Sequence, residues 1–183
     1  MRPPGVLDLA PGIIAGYLPI VLAVVALLGA GLYVVRSRSL QRSEAARTTA
    51  LDLGLGLWLA LVLMLTVVPV GQARPPQPIA FIPFLDSIQR VADGFSSVWD
   101  AASDIVLNVI AFLPLGVIAA LRWGHWWMTL TIVAAAALST GIELTQFLEA
   151  AGRFSSATDI VTNTAGAAIG FWIGLRLRDR RET

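Results

Sequence analysis

The chain reads as an all-α, polytopic integral membrane protein: a helix bundle of about five transmembrane helices, amino terminus outside and carboxyl terminus inside. Three observations predict it. The composition is 56% apolar and 14% charged. Several apolar runs continue for about twenty residues, the length a helix needs to cross roughly 30 Å of hydrocarbon. The positive charges gather at alternate ends of those runs, as cytoplasmic loops demand. Because the runs are continuous rather than alternating, helices that satisfy their own backbone are expected, not a barrel.

The first span is expected from about Ile13 to Val35 and the second from about Leu51 to Val70. The third runs from about Asp104 to Leu121, the fourth from about Trp126 to Leu148, and the fifth from about Asp159 to Leu177. A cleaved signal peptide is the competing reading of the first, but the run is too long and its basic cluster follows it. The domain division expected is 1–49 for the first helix and its arginine loop, 50–177 for the main membrane domain, and 178–183 for a basic cytoplasmic tail.

Lysine is absent, so arginine carries the orientation signal. Arg36, Arg38, Arg42 and Arg47 fill the first loop, Arg122 follows the third span, and Arg176, Arg178, Arg180 and Arg181 follow the fifth. Five alternating crossings put all of these on one side, which the positive-inside rule makes the cytoplasm. Trp123, Trp126 and Trp127 around His125 form an aromatic belt at that same face, with His125 a surface residue. Asp52 stands where an acid opening the second span would.

The one long connection, 71–103, is expected on the outer face. Arg74-Pro75-Pro76-Gln77-Pro78 is a stiff extended lead, and Phe81-Ile82-Pro83-Phe84 an apolar turn. Phe84, Ile88, Val91, Phe95, Val98 and Trp99 then recur at three- and four-residue steps, the pattern of a helix lying in the interface plane, with Gly94 a possible break.

The functional clue is a set of polar stripes near one end of three spans. Asp104 and Asn108 share a face of the third, which Pro114 should bend while freeing the carbonyl of Ile110. Ser139, Glu143 and Gln146 share a face of the fourth, and Asp159 and Asn163 open a face of the fifth that continues as Gly166, Gly170 and Gly174. That small-residue ridge suits close helix contact, within the chain or in a homo-oligomer. Asp104 after Ser103 and Asp159 after Thr158 also fit a plain role at helix starts. Glu143 lies roughly 7 to 8 Å inside its span at 1.5 Å per residue. An acid at a span's centre costs about 2.5 to 3.5 kcal/mol, and less nearer the interface. It therefore needs a partner: Arg153, Asn108, Asn163, or its own proton. A structural network and a ligand or catalytic site both account for the stripes.

Other classes are excluded or unsupported. There is no cysteine and one histidine, so disulfides, thiolate sites and histidine metal clusters are out; no metal and no cofactor is expected. Net charge is +1 and no groove-reading module appears, so no nucleic-acid partner is expected. Phosphate-loop, dinucleotide, zinc-hydrolase and serine-elbow patterns are missing.

Asp104 to Gly116, then Ser139 to Glu143 and Gln146, then Arg153 and Asp159-Ile-Val-Thr-Asn163-Thr-Ala-Gly166, resembles the VanZ-like family, and Phe81-Ile-Pro-Phe84 looks like its outer-loop element. Ala80 stands at about the position where that element often has asparagine. The resemblance covers spans two to five. It implies a bacterial cytoplasmic-membrane protein of the cell envelope, in a family whose namesake is associated with low-level teicoplanin resistance.

The expectation that follows is an outward polar pocket of Asp104, Asn108, Glu143, Gln146, Arg153, Asp159 and Asn163, engaging a lipid-linked envelope precursor or a glycopeptide. Arg153 would pair with anionic groups or with Glu143, and the amides would orient the ligand. The alternatives are an intramembrane enzyme with Glu143 as general acid or base on an outer-leaflet lipid, where Asp104 and Asp159 could hold a hard cation, and a structural or helper membrane subunit.

Overall fold

The computed structural model describes residues 23–67, 81–148 and 156–182. Their regular structure is helical, with no strand among them. The helices are α1 (Ala23–Arg36), α2 (Arg42–Val67), α3 (Leu85–Ala92), α4 (Val98–Trp123), α5 (Met128–Leu148) and α6 (Ala157–Glu182). α2, α4, α5 with the 3₁₀ turn before it, and α6 are each long and apolar enough to cross a membrane. The described part of the first expected span, α1, is a shorter apolar helix; residues 13–22 lie outside the described set.

The chain forms two compact units, Met1–Leu57 and Trp58–Thr183, so the division falls inside α2. In the first unit, α1 and α2 are held by an ion pair between Arg36 and Asp52 at 2.5 Å, and Arg36 also donates to Thr49 Oγ1 at 3.4 Å. Asp52 is thus not a helix-start acid. The helix opens at Arg42, and Asp52 sits two to three turns inside it as the partner of an arginine.

In the second unit, α4 and α6 run parallel and pack along their length. The register is set by glycine. A Cβ added at Gly166 would collide with the carbonyl oxygen of Val109, at Gly170 with that of Leu113, and at Gly174 with that of Val117. From α4, Gly116 answers in the same way against Ala167 and Phe171. Each step is four residues on both helices, so small residues let two backbones approach through three turns, the contact mode lipid favours because apolar burial gives no advantage there. The Gly166, Gly170 and Gly174 ridge is therefore occupied by α4 of the same chain. Ala119, Ala120 and Phe171 close the core at its lower end.

α5 returns antiparallel to α6. α4 ends at Gly124, whose φ of 82° suits glycine and whose N–H donates to the Ala120 carbonyl. The exposed turn His125–Trp127 follows, with Trp126 stacked on His125 and Trp127 on Trp123. α4 continues through Pro114. Proline removes the amide that would serve Ile110, and the indole N–H of Trp58 donates at 2.6 Å to the neighbouring Ala111 carbonyl. The Trp58 ring meets Phe112 edge-on at 5.6 Å.

The expected interface helix is shorter than its apolar period suggested. α3 ends at Ala92, Gly94 takes a φ of 75°, and Val98 and Trp99 begin α4 instead. Serine chemistry decides it. Ser97 Oγ accepts from the Asp100 amide at 3.0 Å while the Asp100 carboxylate accepts from the Ser97 amide at 3.1 Å, a capping box that starts α4 six residues before Asp104. Asp104 is then a side chain of the second turn, not a helix-start residue.

Candidate functional site at the polar end of the bundle

The opposed directions of α4, α5 and α6 bring the start of α4, the finish of α5 and the start of α6 to one end of the second unit. There a cavity of about 360 Å³ opens. Its wall includes Asp104, Asn108, Glu143, Gln146, Asp159 and Asn163, six of the seven residues the polar stripes singled out. The seventh, Arg153, lies outside the described residues.

Each buried polar group has a specific task. Asn108 on α4 donates through Nδ2 to Asp159 Oδ1 on α6 at 2.6 Å, crossing the glycine-packed pair just above the first glycine. Asn163 donates through Nδ2 to Ser139 Oγ on α5 at 2.9 Å, joining α6 to α5; Ser139 is fully buried. Gln146 donates to the carbonyl oxygen of Thr66 at 2.8 Å, serving one of the last carbonyls of α2, which have no partner within the helix.

Glu143 is only 7% exposed, and its Oε2 accepts from the Ser156 amide at 2.8 Å. One partner of Glu143 is thus a backbone donor; Arg153, expected as its side-chain partner, lies outside the described residues. Ser156 Oγ in turn accepts from the Thr158 amide at 3.1 Å. The entry to α6 therefore holds two of its donors on oxygen, and Glu143 places a carboxyl beside the positive end of the helix dipole. Asp159, in the first turn, also suits that dipole, and its Oδ1 accepts from Asn108 across the helix pair.

Thr158 was not read from the sequence, and it ties in the outer turn. Its Oγ1 accepts from the Phe84 amide at 2.7 Å. Phe84 has a φ of 66°, the left-handed region that a bulky residue enters at a cost of about 1 to 3 kcal/mol. The buried threonine fixes that turn and with it the start of α3, whose Ser87 and Arg90 complete the cavity wall beside Thr66, Ser156 and Thr158.

Two acceptors remain. Asn163 is 6% exposed and its Oδ1 has no hydrogen-bond partner among the described residues. Such an orphan calls for an explanation, because an unmet buried polar atom costs about 1 to 3 kcal/mol. Asp104 is exposed on the cavity wall. Among the described residues no group of three His, Cys, Asp or Glu side chains comes close enough to hold a metal ion.

A model of the VanZ/LLP1 family matches residues 53–178. No curated protein and no solved structure matches the chain. The family match spans well over half of the sequence, and the chain belongs to the VanZ/LLP1 family.

Proposed function

We propose that this VanZ-like membrane protein is a binding protein of the bacterial cytoplasmic membrane, whose polar cavity faces outward and receives a lipid-linked envelope precursor or a glycopeptide-like ligand. The observation that carries it is the Asn163 Oδ1, buried in the wall of a 360 Å³ cavity with no hydrogen-bond partner among the described residues. A network built only to join helices would have met it. Outward placement is supported by charge. The helices that begin at the cavity, α4 and α6, end in Arg122 and in Arg176, Arg178 and Arg180, and such ends stay in the cytoplasm.

Glu143 lines this cavity with its Oε2 engaged by the Ser156 amide, which gives the carboxyl a structural task at the entry to α6. The antibiotic part of the proposal is tested in a glycopeptide-sensitive bacterium carrying vector, parent chain or Asp104→Ala at matched membrane abundance. The parent should raise the teicoplanin concentration needed to stop growth and the variant should not. Equal susceptibility in all three would remove a role in glycopeptide susceptibility.

A further inference from the structure

At the other end of α6 from the polar cavity, a surface hollow of about 530 Å³ lies along the last turns of the helix. Trp172, Ile173 and Leu177 line its apolar part, and Arg176, Asp179 and Arg180 its charged part. Phe171 is fully buried and Gly174 is pressed against α4, so the face that carries Trp172 and Arg176 turns away from that contact. Trp172 is 57% exposed there. The guanidinium of Arg176 lies over its ring, 4.9 Å from the centroid.

Helical side chains lean toward the amino end of their helix. For an arginine near the carboxyl end of a span, that lean carries the charge back toward hydrocarbon instead of out to water. Arg176 shows it: the ring it covers belongs to a residue four positions earlier, roughly 6 Å deeper at 1.5 Å per residue. A charge so placed calls for an anion at its own depth. Among the described residues Arg176 forms no ion pair, with Asp179 of the hollow or with any other acid. Its neighbours are used differently. The Arg178 guanidinium packs on Gly124 at the end of α4, where a Cβ would come within 2.6 Å of Nη1, and Arg180 at the rim is already engaged. We propose that the hollow is a phospholipid site. The phosphodiester of a lipid in the leaflet at this end pairs with Arg176, and the glycerol and upper chain lie on Trp172, Ile173 and Leu177. A planar guanidinium meets two phosphate oxygens at once, and the indole face beneath holds it flat. A sugar headgroup offers the arginine only uncharged acceptors, which bind it more weakly. Asp179 stands beside the phosphate as a like charge and weakens the site. None of this depends on what the polar cavity binds.

The test uses the full chain in dodecyl maltoside, a phosphate-free detergent, and measures bound lipid by native mass spectrometry. The probes are phosphatidylglycerol and a diglucosyl diacylglycerol with the same chains. One phosphatidylglycerol per protein should be retained, at least tenfold more tightly than the glycolipid. Arg176→Gln should weaken its binding about fivefold. Trp172→Leu, which leaves every charge in place, should weaken it about threefold. Asp179→Asn should tighten it. All three positions are exposed, and helical content by circular dichroism should be unchanged. A hundredfold excess of glycerol 3-phosphate, which has the phosphate and no chains, should leave most of the lipid bound.

Equal retention of glycolipid and phospholipid would overturn the proposal, because the hollow would then select chains alone. Loss of binding in Arg176→Gln with none in Trp172→Leu would mean diffuse attraction to a basic helix end, and would overturn the built site. Weaker binding in Asp179→Asn would overturn the phosphate assignment, since the headgroup would then be held through a donor. Full displacement by glycerol 3-phosphate would overturn the lipid as occupant. Phosphatidylglycerol retained equally by the parent and all three variants would place it elsewhere on the protein and remove the site.

Discussion

Glu143 shows how one residue in a span is made tolerable. An acid this far inside a membrane helix needs a hydrogen-bond donor for its carboxyl oxygens, and the Ser156 amide N–H supplies one at 2.8 Å. Glu143→Gln keeps an acceptor oxygen and should cost less than about 1 kcal/mol, whereas Glu143→Leu leaves the buried Ser156 donor unmet and should cost about 1.5 to 3 kcal/mol. The comparison is read from the midpoint of reversible unfolding in mixed detergent. Equal losses for both would show that the bond is not what holds the residue. Thr158 is the second test at this scale. Thr158→Val removes the hydroxyl that meets the Phe84 amide while keeping the shape, so hydrogen exchange across Leu85–Ala92 should speed up several-fold with the other helices unaffected. Unchanged exchange would show that the left-handed turn at Phe84 is held by something else.

Among the helices, the parallel α4 and α6 pair depends on missing side chains. Gly166→Val and Gly170→Val should each destabilise the protein by at least about 1 to 3 kcal/mol, because the new Cβ meets backbone that cannot move aside. Gly141 on α5 has open space around it, and Gly141→Ala should be neutral or gain up to about 1 kcal/mol by helix propensity. Unfolding midpoints of the three variants check this, and loss of stability in Gly141→Ala equal to that in Gly166→Val would contradict the packing described. Much of this level was legible in the sequence. Four-residue spacing placed Asp159, Asn163, Gly166, Gly170 and Gly174 on one face, and the face packs inward. The helix starts were less so. Hydropathy marks where lipid begins, not where a helix begins, so α2 opens nine residues before Leu51 and α4 six before Asp104. The signals were local: Ser97-Val-Trp-Asp100 and Ser156-Ala-Thr-Asp159 both have the spacing of a capping box, and the first forms one. Thr158 and Arg90 escaped notice because nothing in their own segments says that the turn at Phe84 and α3 come to rest against the starts of α4 and α6.

At the scale of the whole molecule, chain direction is the organising fact. α4 and α6 leave the cavity end and α5 returns to it, so carboxylates and amides far apart in sequence meet, while arginines mark the opposite ends of α4 and α6. The convergence could be anticipated because the polar groups fall near corresponding ends of alternating spans. The pairings could not, since an amide can serve any neighbour within reach; which one is met depends on rotation of each helix about its axis. The chain lacks cysteine, so a single introduced thiol reports one position without interference. The central claim, that this polar cavity opens to the outer side of the membrane, is tested most directly by treating intact bacteria with a membrane-impermeant maleimide. Asp104→Cys should react in intact cells, and Trp126→Cys, exposed on the turn at the opposite end, only after the membrane is permeabilised. Labelling of Trp126→Cys in intact cells with Asp104→Cys protected until permeabilisation would contradict the account.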